Sequence, residues 1–498
     1  MPRLRCGATF DGRPVNSHTF ARLAGPATAL ICVSLIDIPA QPLAAAMLGI
    51  ALWMAIWWIS ECVPLALTSL IPLVLFPLFG ITTGKEIAPL YTNSIIFLFI
   101  GGFLIAQAME NVGLHKRIAL SMLSRLHASP LQLAMGFAAA TAFLSMWISN
   151  TATAMLMVTI ALPLLKRLME EHDAEEARAV AASFMLIIAY AANIGGMGTP
   201  VGSPPNLVFL ENMRISAPDA VPSFLEWMMI GIPMVIVGLV VLFIVLGPKL
   251  ARLPWNRSDG RELKDSLLAL GQMRIEEKLV AGVLGLTAML WMTRSGIQSE
   301  GLNIPGWASL LPYKGVDDGT VAIFMASLLF LLRGESKRSI LGRESFSRLP
   351  WDIVLLFGGG FALAYGMQQS GLSFWIGEQL EFLKAVPLPL MMLAVAVVII
   401  FLTEISSNTA TTQVMLPILA AASLASGLDI TSTLLVATLS ASCAFMLPVA
   451  TPPNAIIFGT GLVPMQAMVK AGIRLNLIFI VAVTGLVYLI RPLLPAIL

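Results

Sequence analysis

The chain is 498 residues long, 57% apolar and only 12% charged, with a formal net charge of +2 and a mean hydropathy of +0.86. Soluble domains carry about 25% charged and about 45–50% apolar residues, so a water-facing globular fold is excluded and an all-α polytopic membrane protein is expected. The four cysteines (Cys6, Cys32, Cys62, Cys443) and four histidines (His18, His115, His127, His172) are scattered and suggest no metal or disulfide framework.

In chain order, Arg3, Arg5, Arg13 and Arg22 mark 1–22 as a cytoplasmic N-terminal segment. A first apolar run follows at 23–40. A signal peptide ending at Ala44-Ala45-Ala46 is the alternative reading, but the long charged stretch and the apolar run directly after it favour a retained helix. Runs at 43–60, 62–80 and 93–112 complete a scaffold region over 23–112 that also opens a first repeat. In region 113–215, two half-length apolar stretches, 132–147 and 151–165, flank Ser149-Asn150-Thr151. Such a pair predicts a re-entrant hairpin over 132–167, because polar backbone at membrane depth persists only where it lines a protein-enclosed cavity. Two ordinary short spans are the alternative, here and at the second hairpin below. The acidic stretch 170–178 (EEHDAEEAR) reads as a solvated loop, and the next span is interrupted by Gly and Pro, giving a broken helix over 179–210.

Region 223–350 holds spans at 226–247, 278–293 and 319–332, with cytoplasmic loops at 249–278 and 333–350. Region 351–460 holds a span at 351–368, a second hairpin over 386–427 around Ser407-Asn408-Thr409, and a broken helix over 431–457. A last helix occupies 474–498. With the N-terminus inside and each hairpin entering and leaving on one side, 24 of the 30 Lys/Arg lie inside, the bias of the positive-inside rule. Only Lys85, Arg214, Arg294, Lys314, Lys384 and Arg491 lie outside. The predicted topology has about 11 transmembrane helices, an inside hairpin, an outside hairpin and an external C-terminus.

The two halves repeat. Gly101-Gly102-Phe103 aligns with Gly359-Gly360-Phe361, Gly113-Leu114 with Gly371-Leu372, and Ser149-Asn150-Thr151 with Ser407-Asn408-Thr409, all at one offset of 258 residues. Ser203-Pro204-Pro205-Asn206 pairs with Thr451-Pro452-Pro453-Asn454 after a small deletion. The topology runs spans 93–112 and 351–368 in opposite directions, so the repeat is inverted. Inverted repeats with interrupted helices are a transporter architecture whose binding site lies where the broken ends converge.

Each repeat brings a hairpin tip and a helix break. Proline removes a backbone donor and glycine permits unwinding. The freed carbonyls, Ser/Thr hydroxyls and Asn side-chain oxygens are hard ligands suited to an alkali cation. The second helix of each hairpin starts just after its tip, so N–H groups and a positive dipole end suit a carboxylate or other oxyanion. Either triplet alone could be a helix N-cap; two copies beside Pro/Gly breaks favour a binding role. No Lys or Arg enters a predicted span core, so an anion there must be offset by dipoles, donors and co-bound cations. Glu404 adjoins the second tip and reads as a structural acceptor, with a proton carrier as the alternative. Asp37, Glu61, Glu110 and Asp352 read as solvated span ends, and the paired glycines as close helix packing. No nucleophile–base constellation appears, so the chain is read as no enzyme.

The two Ser-Asn-Thr tips, Ser-Pro-Pro-Asn, and the stretch CAFMLPVATPPNAI from Cys443 to Ile456 resemble the divalent-anion/sodium symporter family, which contains sodium-coupled dicarboxylate and citrate transporters. The resemblance covers the chain after residue 20. It implies a homodimer in which a transport domain moves against a static scaffold, elevator fashion. It also implies a first sodium site at Ser145, Ser149, Asn150 and Gly198, and a second at Thr403, Ser406, Asn408 and Ala450. Substrate carboxylates would meet Asn150, Thr151, Asn408 and Thr409, with Ser149, Ser407, Thr199, Thr451 and Pro452 nearby. The expected function is sodium-coupled symport of C4-dicarboxylates (succinate, malate, fumarate). Sodium-independent anion exchange, or citrate or sulfate transport, are alternatives within the family, and a sodium/proton antiporter is the alternative outside it. Expected partners are small dicarboxylate anions, sodium ions and membrane lipid, with no nucleic acid. The expected location is a bacterial inner membrane.

Overall fold

The computed structural model describes residues 15–39, 41–125, 129–171, 174–250, 259–299, 302–313, 315–335, 337–380 and 384–494. Most of the N-terminal segment 1–22, with Arg3, Arg5 and Arg13, lies outside the described residues, as do Arg252, Arg257 and Lys314. Each of the eleven apolar runs carries helix. Six helices among the described residues are long and apolar enough to cross a membrane, including Phe224–Leu250 and Met465–Ile490; six more, such as Asp318–Leu331, are apolar but shorter. On Phe224–Leu250, Ile236, Val240 and Ile244 form an exposed stripe spaced four residues apart, the outward face expected of a helix solvated by lipid.

Several segments differ from the sequence reading, each for a local reason. The second arms of the hairpins, Asn150–Glu171 and Asn408–Ser426, exceed half length because Pro163 and Pro417 lie within the helices without ending them. Most of the supposed acidic loop is helical: residues 170 and 171 end that arm and Ala174–Gly195 begins the next helix, with Glu175 and Glu176 in its first turn, where acids complement the helix dipole. Run 62–80 divides into Leu65–Ser69 and Ile71–Leu78. Short helices Leu114–Leu123, Asp259–Ala269 and Leu372–Gln379 fill what had read as connections. A two-stranded antiparallel hairpin, Gly296–Ser299 with Leu302–Pro305, is the sole β-structure among the strands of the described residues.

The repeat is visible in backbone geometry. Ser94–Val112 and Trp351–Gln369 are each followed closely by a glycine with positive φ, Gly113 at 79° and Gly371 at 77°. Such φ values strain any residue with a Cβ, and both glycines turn the chain into a short helix. Packing between the repeats is reciprocal. Asp318–Leu331 lies on Ser94–Val112, and Leu65–Ser69 lies on Trp351–Gln369. At the matching crossings a Cβ on Gly101 would come within 2.6 Å of Ala322, and one on Gly359 within 2.6 Å of Ser69. Likewise Pro204–Ser216 packs on Asn408–Ser426, and Pro452–Gly459 packs on Asn150–Glu171. Mutual contacts of this kind are those of a two-fold pair.

Candidate functional site

The first arm Pro130–Ser145 ends five residues before Asn150 opens the second, and Leu388–Thr403 ends likewise before Asn408. Ser149 does cap its helix, accepting from Ala152 N at 3.2 Å; Ser407 makes no side-chain cap. Capping therefore accounts for one tip and leaves the other unexplained. Behind each tip the same motif recurs. Ser145 Oγ lies 2.7 Å from Ala192 O and 2.6 Å from the Asn150 amide. Thr403 Oγ1 lies 3.0 Å from Ala441 O and 2.7 Å from Asn408 Oδ1. Donor–acceptor matching turns the Asn150 nitrogen toward Ala192 O, Ser145 Oγ and Gly202 O, at 3.2, 2.6 and 3.3 Å. Three oxygens thus converge beside the first tip.

Both breaks are held open by an asparagine. Helix Ala174–Gly195 gives way to a 3-10 turn, Gly196–Gly198, and resumes at Pro204. Ile430–Ala441 stops, and helix resumes at Pro452. Asn206 Nδ2 donates to Gly196 O and Thr199 O at 2.9 and 2.8 Å, and Asn454 Nδ2 donates to Ala444 O and Leu447 O at 3.1 and 3.0 Å. The carbonyls sit ten and seven residues upstream in both cases. Gly196 and Gly202 are required by proximity: a Cβ on Gly202 would meet Gly196 O at 2.7 Å, and one on Gly196 would meet the Asn150 amide at 2.7 Å.

Tips and breaks enclose a cavity of about 560 Å³. Four helices begin at its wall, at Asn150, Pro204, Asn408 and Pro452. No Lys or Arg lines it among the described residues. Ser149, Asn150, Thr151, Ser407, Asn408, Thr409, Thr451 and Pro452 all line the cavity, as do Ser406 and Ala450. Ser145, Gly198, Thr199 and Thr403 stand behind the wall. There Thr199 Oγ1 donates to Met146 O at 2.5 Å and accepts from Gly202 N at 3.1 Å, tying the first break to its tip.

Gly202 of the first break also belongs to this arrangement, as do Ala192, Asn193 and Ala441, which the sequence does not single out. An Asn two residues before a Gly-Gly break was the available signal for Asn193; carbonyl donors carry none. A buried acid was missed as well. Glu211 is fully buried on Pro204–Ser216 and pairs with Arg214 at 2.5 Å, where sequence alone showed only an arginine near a span end.

Glu404 is fully engaged. Its Oε1 accepts from Phe445 N (2.7 Å), Met446 N (2.9 Å) and Asn476 Nδ2 (2.7 Å), and its Oε2 from Met446 N (3.0 Å) and Leu447 N (3.2 Å). The carboxylate fastens the second break to its tip, a structural acceptor for backbone amides.

A family model described as the sodium:sulfate symporter transmembrane region matches residues 18–494. The sodium-dependent dicarboxylate transporter SdcS of Staphylococcus saprophyticus is 40% identical over 454 residues, covering 89% of this chain and 86% of that protein. The protein of the same name from Staphylococcus aureus strain MRSA252 is 41% identical over 457 residues, covering 89% and 85%. Among solved structures, the YdaH transporter of Alcanivorax borkumensis and MtrF of Neisseria gonorrhoeae share the fold. Each has a TM-score of 0.56 at 13% identity, covering 96% of this chain and 98% and 95% of theirs. The chain is thus an integral, multi-pass membrane protein that belongs to the divalent-anion/sodium symporter family.

Proposed function

We propose that the protein is a secondary active transporter that couples sodium to the uptake of C4-dicarboxylates such as succinate, malate and fumarate. The observation that carries this reading is the cavity where four helix N-termini meet without a basic side chain. Each N-terminus acts as roughly half a positive charge, so four together offset about the charge of a dianion. Thr151 and Thr409 hydroxyls, the Asn408 amide, and free N–H groups at the two tips supply donors, with Asn150, Ser149 and Ser407 beside them. Pro204, Pro205, Pro452 and Pro453 strip the first donors from the other two helices. Two carboxylates therefore face the tips, while the carbon chain between them faces proline. The SdcS relatives carry the sodium and dicarboxylate assignment by name.

Sodium is the second substrate. At the first site Ser145 Oγ, Ala192 O and Gly202 O converge on Asn150, with Ser149 and Gly198 adjoining. At the second, Thr403 Oγ1 bridges Ala441 O and Asn408 Oδ1, with Ser406 and Ala450 on the cavity side. Thr199 positions the first break rather than touching substrate, and Thr451 and Pro452 border it. A proton-exchange role is disfavoured because every Glu404 oxygen already accepts backbone or amide donors.

Transport by an elevator shift fits the way each hairpin hangs from its preceding long helix. The link is a left-handed glycine and a short helix, Leu114–Leu123 or Leu372–Gln379. Regions 113–215 and 351–460 supply the moving parts; 23–112, 223–350 and 474–498 supply the scaffold of a homodimer in a bacterial inner membrane, with its N-terminus inside.

The test is uptake of labelled succinate into proteoliposomes under an imposed inward sodium gradient. Accumulation that collapses when sodium is replaced by choline is expected. Failure to accumulate with sodium, together with exchange in preloaded vesicles, makes the protein an exchanger instead.

A further inference from the structure

We infer that Asn193 is a positioning residue that makes the two cation sites respond to one another. The inference rests on the sodium-coupled reading above. Asn193 lies two residues before the end of helix Ala174–Gly195, is 1% exposed, and borders the cavity. Its Nδ2 donates to Thr451 Oγ1 at 3.1 Å, a contact that joins the first repeat to the second. The neighbouring Ala192 turns its carbonyl to Ser145 Oγ at the first site. Thr451 directly follows Ala450, a cavity-lining residue of the second. One stretch of helix thus touches the first cation site through its backbone and the second break through a side chain.

The choice of residue supports this. Asn193 Oδ1 is buried without a partner, a penalty that an apolar side chain of similar size would not carry. What the position gains from an amide is the bond to Thr451. The link is also one-sided. Ser442 follows Ala441 as Asn193 follows Ala192, yet its Oγ is buried and makes no bond. At this pair of matched positions only Asn193 makes a cross-link among the described residues, beside the bond that Tyr190 Oη on the same helix donates to Phe445 O at 2.5 Å. A cation drawing on Ala192 O shifts the peptide next to Asn193, and the amide passes that shift to Thr451 and Ala450.

The experiment is the sodium dependence of succinate uptake by the full-length protein in proteoliposomes. Wild type should respond sigmoidally, with a Hill coefficient above one. Asn193→Leu and Thr451→Val should each become hyperbolic, with half-saturating sodium raised about fivefold, the lower end of ordinary site–site coupling. The double variant should be no worse than either single, and Thr451→Ser, which keeps the hydroxyl, should stay sigmoidal. Retained sigmoidality in either single variant, or effects that add in the double, overturns the inference. If Asn193→Leu does not fold, the contrast between Thr451→Val and Thr451→Ser decides it. Wild-type uptake indifferent to sodium would instead sink the sodium-coupled reading, a failure visible before any variant is made.

Discussion

Glu404 and Met146 occupy equivalent places in the two repeats, yet they solve one mechanical problem with opposite polarity. In the first repeat a hydroxyl from the break, Thr199, donates to the tip carbonyl of Met146. In the second, the tip carboxylate of Glu404 accepts from three successive amides of the break. Glu404→Gln puts an NH2 where an oxygen met N–H donors. It should lower stability by about 3 kcal/mol, the scale of losing charge-assisted bonds in a buried setting; Thr199→Val removes a neutral bond and should cost about 1 kcal/mol. Thermal unfolding of purified protein checks both, and equal losses would contradict the asymmetry. At the tips, Asn408→Ala would remove a donor to the proposed carboxylate, and Asn150→Ala the amide that holds Ser145 Oγ, Ala192 O and Gly202 O together beside it. Each should weaken succinate binding by about 10- to 100-fold, from about 1.5–3 kcal/mol per charged hydrogen bond; unchanged uptake by either variant would count against a two-tip site.

Among the elements, the helix crossings are the least forgiving. Gly101 and Gly359 bring backbones together at corresponding crossings, where a Cβ would meet Ala322 or Ser69 at 2.6 Å. Gly359→Leu should cost about 1–3 kcal/mol through overpacking, read as a lowered unfolding midpoint, while Gly485→Leu, where nothing lies within 4 Å of a Cβ, should be neutral. These crossings were legible in the sequence, since the glycines recur at one offset and lack any phosphate-loop context. So were both tips and both breaks, because Ser-Asn-Thr and Pro-Pro-Asn are polar and helix-breaking inside apolar runs. The 3.6-residue pattern could not reveal where Asn150–Glu171 ends, since Pro163 is tolerated within it. Nor could it reveal that Asn206 and Asn454 reach back ten residues to staple their own breaks. Ala192 and Ala441 act through carbonyls, which every residue possesses, so no residue type announces them.

Across the whole molecule, the cavity runs from the two tips to a rim that includes Glu61, Pro350 and Asp352. Glu61 directly follows helix Ala44–Ser60, and Asp352 sits in the first turn of Trp351–Gln369. Both helix ends lie on the side that the distribution of Lys and Arg assigns to the cytoplasm. With the orientation proposed above the cavity would open toward the cytoplasm, and acids at its rim carry a physical meaning. In the proposed transport cycle they would repel a dianion that has left its sodium ions behind and favour cations in the vestibule. Val449 is 65% exposed within the cavity, whereas Cys32, Cys62 and Cys443 are buried. A Val449→Cys variant lacking the four native cysteines should therefore react with a membrane-impermeant thiol reagent in inside-out vesicles. Sodium plus succinate should slow that reaction, because ligands bound as proposed would occupy the space between the tips. Reaction confined to right-side-out vesicles would reverse the topology. Reaction in inside-out vesicles that the ligands leave unchanged would keep the topology and remove the cavity as the binding site.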